Sequence, residues 1–173
     1  VPSYGGITPE RIKALVGGLV WPCPTPDHSG TPILHRETFN TPYGLGRFIP
    51  VDYQPPAALP DDEYPLLLTT GRVVMHYNAG TMTRRSAPLL RRSPELFIEI
   101  NPVDAQRLGI ASGEEVTVVT RRGDTTAKAS ISKNTAAGTV FMPFHFPGTN
   151  VLTVDALDAK AKIPELKVAA CKV

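Results

Sequence analysis

The sequence predicts a mainly β domain, a small barrel or sandwich with short helices, preceded by an irregular proline-rich strap. Three observations carry that expectation. After residue 64, short apolar or alternating segments recur at roughly ten-residue spacing between tight-turn signals. Only brief helical signatures interrupt them. Of the eighteen prolines, eleven precede residue 61, where each removes an amide donor and biases its predecessor toward extended backbone.

Composition bounds the rest. Apolar residues make up 42% of 173, enough for one domain with its own core, and the formal net charge is only +2. No apolar run reaches membrane-spanning length and no signal-peptide pattern opens the chain. Position 1 is Val rather than Met, which reads as a fragment or a processed product. Cys23 and Cys171 lie far apart in no paired spacing, so a reducing cytoplasm is the expected location.

In residues 1–18, Thr8 is placed to cap a helix with Pro9 at its first position; Ile12, Leu15 and Val16 fall on one face and Gly17-Gly18 ends it. Residues 19–60 form the strap. Cys23, His28 and His35 match no closed zinc spacing, and the prolines around them break any shared element, so no metal site is read there. Asp61-Asp62-Glu63 then marks the boundary between an expected strap, 1–60, and an expected barrel, 61–173. Leu66, Leu67 and Leu68 form a run typical of a strand buried on both faces, stopped at Gly71.

Residues 96–100 read as a strand. Asn101 caps a helix with Pro102 at its first position and Asp104 in its first turn, Val103 and Leu108 supply apolar contacts, and Gly109 ends it. Residues 115–120 form a strand with Val116 and Val118 on one face. Gly123-Asp124 turns it into a return strand, 125–131, with Ala127, Ala129 and Ile131 alternating, and 139–144 is a further strand.

Two stretches carry chemistry. The first follows Gly71 and crowds Arg72, His76, Tyr77, Asn78, Thr81, Thr83, Arg84 and Arg85 together, with Gly71 and Gly80 permitting close backbone approach. From 64 to 94 there is no Asp or Glu but five Arg, a local charge of +5 that leaves −3 for the remainder. All five cations are Arg, which suits planar, bidentate recognition of phosphate or carboxylate; a solvated basic face is the plain alternative. The second stretch, 144–153, brackets His145 with Phe144 and Phe146 before Pro147-Gly148. Phe and His there could stack a flat ring and Asn150 could bridge a heterocycle edge, although core packing of the two Phe is the favoured reading.

These residues resemble a known family. Leu-Leu-Leu-Thr-Thr-Gly71-Arg72, then His76-Tyr77 and Thr81-Met-Thr83-Arg84, then Glu99-Ile-Asn-Pro-Val-Asp-Ala-Gln-Arg-Leu-Gly109, are similar to the C-terminal domain of molybdopterin-dependent oxidoreductases of the dimethyl-sulfoxide-reductase family. The Trp21-Pro-Cys-Pro-Thr-Pro-Asp-His28 strap and Gly71-Arg-Val-Val-Met-His-Tyr77 resemble formate dehydrogenase catalytic subunits in particular, and the likeness covers nearly the whole chain.

The resemblance implies a six-stranded double-psi β-barrel that covers one side of a bis(molybdopterin guanine dinucleotide) bearing molybdenum or tungsten. Carried over by position, Gly71, Arg72, Val73, His76, Tyr77 and Asn78 would line the dinucleotide or pterin, with Thr81 and Thr83 close by. Asn150 and Lys167 match the Asn-x-Leu-Thr and Pro-Glu-Tyr-Lys segments, with Leu166 in place of the usual Tyr. The metal ligand, acid–base residues and iron–sulfur cysteines of the family belong to the larger part of the subunit, so no catalytic or metal residue is assigned here.

The implied partners are the remainder of the catalytic subunit, formate, and an electron-transfer subunit or NAD(P)-linked module. Competing readings are another family member such as a nitrate reductase, or a cofactor-free double-psi barrel that binds protein. Nucleic acid is disfavoured, since the chain is weakly basic and its arginines are not interleaved with aromatics along a face.

Overall fold

The strand Leu66–Gly71, β1, lies inside the sheet of the computed structural model, which describes residues 1–173. Leu66, Leu68 and Thr70 turn inward while Leu67, Thr69 and Gly71 are half-buried. The leucine run is therefore an alternating strand and not one buried on both faces. Its surroundings explain this: β1 pairs in parallel with β5 (Thr139–Pro143) and antiparallel with β6 (Ala169–Cys171) in a curled sheet whose concave face alone lines the core.

The remaining strands are β2 (Phe97–Ile100), β3 (Glu115–Val119) and β4 (Asp124–Ile131), and the six follow the order β3-β4-β2-β5-β1-β6. β2 runs parallel to β4 and antiparallel to β5, while β3 and β4 form the expected hairpin. At the two ends of that order, Val119 and Lys172 exchange backbone hydrogen bonds of 2.9 Å, so the edges of the sheet meet at one bridge. A closed edge leaves fewer unpaired backbone groups for another chain to pair with. The core inside is built from Leu66, Leu68, Ile98, Ile100, Val118, Val140 and Met142, all essentially inaccessible to solvent.

Caps fix the helices. Asn101 Oδ1 accepts from Val103 N at 3.0 Å, Pro102 opens the helix Pro102–Leu108, and Gly109 closes it in left-handed backbone at φ 71°. This element turns a different face inward from the one expected. Val103 is 64% exposed, whereas Ala105 is buried and Leu108 packs on the core. Two residues advance a helix by about 200°, so a face set by Ala105 and Leu108 places Val103 opposite. Asp104 is buried with them and accepts from Gly138 N at 2.6 Å and Arg107 Nη2 at 3.0 Å, fastening the loop that leads into β5.

Backbone proximity divides the chain into two units, Val1–Asp52 and Tyr53–Val173. The first holds no strand. Its helix, Pro9–Ala14, starts as expected with Thr8 Oγ1 accepting from Arg11 N at 3.3 Å, but it ends before the glycines, and Ile12, Leu15 and Val16 are exposed. The anchor is Arg11 rather than an apolar face: its guanidinium donates to the carbonyls of Gly6, Thr25 and His28 around the fully buried Cys23. No helix of the chain is long and apolar enough to cross a membrane.

Candidate functional site

Parallel pairing places the ends of β1 and β5 side by side, with Gly71 in register with Pro143 and Phe144 N donating to Gly71 O at 3.1 Å. Both polar loops read from the sequence, 72–85 and 144–153, therefore leave the sheet at one end. Gly71 is required there for space. A β-carbon on it would stand 2.5 Å from Phe141 Cε2.

Two cations converge on this end from opposite parts of the chain. Arg72 lies 5.7 Å and Lys167 5.9 Å from the centroid of the Phe144 ring. Arg72 Nη2 also donates to Asn78 Oδ1 at 3.0 Å, and Lys167 Nζ donates to Thr70 O at 2.7 Å. Thr70 Oγ1 in turn donates to Leu166 O at 2.6 Å, tying the Lys167 segment to β1. The ion pairs of the chain involve Arg107, Arg121, Arg122, Lys128 and Lys172. None of the five arginines in the acid-free stretch, nor Lys167, has a carboxylate partner, so their charge is free to meet an anion.

Beneath the cations lie two histidines. His76 is 5% exposed and both its nitrogens have protein partners: Nε2 donates to Ser93 O at 2.8 Å, and Nδ1 meets Thr83 Oγ1 at 3.1 Å. Because a carbonyl only accepts, the proton sits on Nε2, and Nδ1 accepts from the Thr83 hydroxyl. Thr83 Oγ1 then accepts from Tyr77 N at 3.2 Å. His145 is 1% exposed and takes the other tautomer. Its Nε2 accepts from Val73 N at 2.9 Å, which leaves the proton on Nδ1 to donate to Asn78 O.

The aromatics flanking His145 divide their work. Phe146 is buried with its ring edge-on to His76 at 5.1 Å, whereas Phe144 is half-buried beneath Arg72 and Lys167. One packs the core and the other forms a platform. The expectation of core packing thus holds for Phe146 only.

Of the residues singled out by sequence, Gly71, Arg72, Val73, His76, Tyr77, Asn78 and Thr83 are joined through these contacts, and Lys167 shares the Phe144 ring with Arg72. Asn78 adopts left-handed backbone at φ 47°, and Gly80 does so at 71°, close enough to His145 O that a β-carbon would lie 2.8 Å from it. Tyr77 and Thr81 are exposed on the same loop. Asn150 stands apart in the one-turn helix Thr149–Leu152, where its carbonyl accepts from Thr153 Oγ1 at 2.9 Å. Sequence reasoning offered His145 only as a ring-stacking group, whereas the structure buries the ring and commits both its nitrogens to Val73 and Asn78. The only local signal was a histidine between aromatics directly after a strand.

A curled sheet that brings unpaired cations, an aromatic platform and a hydroxyl-bearing loop to one end has the groups that an anionic ligand with a flat ring requires. Comparison with known proteins narrows the class. Residues 66–170 match the molydopterin dinucleotide binding domain family, and the chain belongs to that family. It is 52% identical to the F420-dependent formate dehydrogenase subunit alpha of Methanocaldococcus jannaschii, over 99% of this chain and 26% of that protein. It is 37% identical to the assimilatory nitrate reductase catalytic subunit of Bacillus subtilis, over 100% of this chain and 25% of that one. The chain thus spans about a quarter of the length of these relatives. Acetylene hydratase from Pelobacter acetylenicus shares the fold, at a TM-score of 0.55 and 22% identity over 64% of this chain and 18% of that one.

Proposed function

We propose that the chain is the cofactor-binding domain of a molybdenum- or tungsten-dependent formate dehydrogenase, holding one guanine dinucleotide or pterin arm of a bis(molybdopterin guanine dinucleotide). The observation that carries this reading is the convergence of Arg72 and Lys167 on Phe144 in a loop free of acids, within a domain of this family. The donor set fits the ligand: guanidinium and ammonium for pyrophosphate, Phe144 for a planar ring, and the hydroxyls of Tyr77 and Thr81 for its polar edge. In this reading the sheet is the double-psi barrel of the family, residues 61–173 form the cofactor domain and 1–60 the strap.

When bound, the metal centre supplies the two-electron oxidation of formate to carbon dioxide. The chain contributes binding and orientation. Arg72 and Lys167 neutralise the pyrophosphate, Gly71 and Val73 line the ligand while their own backbone groups stay committed to Phe144, His76 and His145, Asn78 aims Arg72, and Asn150 from its separate turn meets a ring edge. His76 acts from below, holding Thr83 and Tyr77 in place. The metal ligand, the acid–base residues and the iron–sulfur cysteines lie in the remainder of the subunit, which is the chain's first partner. The name of the M. jannaschii relative favours F420 over an NAD(P)-linked module as the electron acceptor reached through a partner subunit. Two free cysteines agree with a cytoplasmic location.

The higher identity to a formate dehydrogenase than to a nitrate reductase over the same span favours formate as substrate. The test is the whole catalytic subunit, purified as wild type and as Arg72→Ala/Lys167→Ala. Guanine nucleotide released by acid hydrolysis is quantified, and formate-driven and nitrate-driven dye assays are run side by side. Expected are nucleotide and formate oxidation in the wild type and loss of both in the double variant. Nucleotide content unmoved by the double substitution would place the dinucleotide elsewhere, and turnover of nitrate alone would transfer the domain to the second reading.

A further inference from the structure

His145 makes two bonds to one loop. Its Nε2 accepts from Val73 N at 2.9 Å, directly after β1, and its Nδ1 donates to Asn78 O five residues on. The second bond reaches a residue in left-handed backbone, φ 47°, a conformation asparagine tolerates better than most side chains and which this bond helps to select. Asn78 so held turns its side-chain oxygen to Arg72 Nη2 at 3.0 Å. The ring itself is 1% exposed and has no remaining polar atom to offer a ligand. The backbone carbonyl of His145 is equally constrained, with Gly80 packed against it. A path of consecutive hydrogen bonds therefore runs from an inaccessible imidazole to an exposed cation.

We infer that His145 is a positioning residue: as the Nδ1–H tautomer it sets the 73–78 turn, which aims Arg72 and so governs affinity for the anionic part of the ligand without touching it. This rests on the reading of Arg72 as a ligand-binding cation. The neutral ring is needed because protonation of Nε2 would remove the acceptor for Val73 N, and the other tautomer would face one donor with another and leave Asn78 O without a proton. Phenylalanine keeps the ring volume and loses both bonds. Glutamine keeps a donor and an acceptor on one planar group.

The experiment uses the whole catalytic subunit and a double-mutant cycle between His145→Phe and Arg72→Ala, read as guanine nucleotide retained after prolonged dialysis. Each single variant is expected to lose roughly tenfold in retention half-time, since a lost supporting bond commonly costs that much at a site held from behind. Acting through Arg72, His145→Phe should add less than about twofold on the Arg72→Ala background. His145→Gln should recover a substantial part of the loss. Nitrogen-15 spectra of the imidazole should show Nδ1 protonated and Nε2 bare. Independent, multiplicative losses from the two substitutions, or the reverse tautomer, would overturn the inference. A normal half-time in Arg72→Ala would instead overturn the assignment of the site. Should His145→Phe fail to fold, Asn78→Gly, which keeps the left-handed backbone and removes the oxygen that holds Arg72, replaces it in the cycle, and losses that multiply with those of Arg72→Ala would overturn the inference.

Discussion

Arg72 and Lys167 reach the same Phe144 ring, at 5.7 and 5.9 Å from its centroid, although one follows β1 and the other precedes β6. Two like charges held near one ring repel each other, and an anion bound at this end of the sheet relieves that repulsion. Replacing Phe144 with Leu keeps an apolar contact and removes the quadrupole. At about 0.5–1 kcal/mol for each cation, the expected loss is about 1–2 kcal/mol. Because both contacts lie within the chain, the loss should appear as a lower unfolding temperature together with reduced ligand retention in the whole subunit; retention unmoved by Phe144→Leu would show that the ring does not hold the cations for the ligand.

Gly71 is predicted to be intolerant for reasons of space. An alanine β-carbon 2.5 Å from Phe141 Cε2 forces the ring to shift, and Phe141 is half-buried between neighbours on the sheet. Overpacking of this kind costs about 1–3 kcal/mol. Thermal unfolding should show Gly71→Ala destabilised and Gly71→Ala/Phe141→Leu partly restored. Equal destabilisation in both would mean the backbone, not the ring, needs the glycine.

How much of this was legible in the sequence depends on how local each cause is. The helix Pro102–Leu108 was readable because Asn101, Pro102 and Gly109 act within their own turn. Its inward face was not, since the choice of Ala105 over Val103 is made by the sheet beneath it. The strand Ala169–Cys171 consists of three buried small residues with no alternation, so no period announced it, even though a six-strand count followed from the family resemblance. The cation-rich loop stood out by composition. The tautomers of His76 and His145 did not, because the partners that fix them, Ser93 and Val73, lie distant in sequence and are brought close only by the fold.

Asp104 is predicted to be a structural carboxylate. It is buried and accepts from Gly138 N at 2.6 Å and Arg107 Nη2 at 3.0 Å. Alanine there leaves the Gly138 amide without its acceptor, a loss of about 1–3 kcal/mol. Asparagine retains one acceptor and should cost less. For a chain of this size each kcal/mol corresponds to about 2–4 °C in unfolding temperature, so the two variants should separate in a thermal scan. The opposite order, with asparagine worse than alanine, would show that Asp104 is not acting through its acceptor oxygens.

Cys171 sits in β6 against the core, and burial pushes its thiol up from 9.0 to about 12. Its thiolate is therefore scarce at neutral pH, and native protein should react with a disulfide reagent at this position only as fast as it opens. The same displacement sets a pH dependence. Between the unfolded and folded values the unfolded chain has released the proton and the folded one keeps it, so fewer protons are bound in the unfolded state and stability falls as pH rises. The contribution is fully present below pH 9 and declines above it by about 1.4 kcal/mol per pH unit until the folded thiol also ionises. Urea midpoints from pH 8 to 10.5 for wild type and Cys171→Ala isolate the term, because every other alkaline group is common to both. The wild type should lose stability more steeply than the variant once pH passes 9. Parallel curves would show that the thiol ionises equally in both states and that β6 is open to solvent.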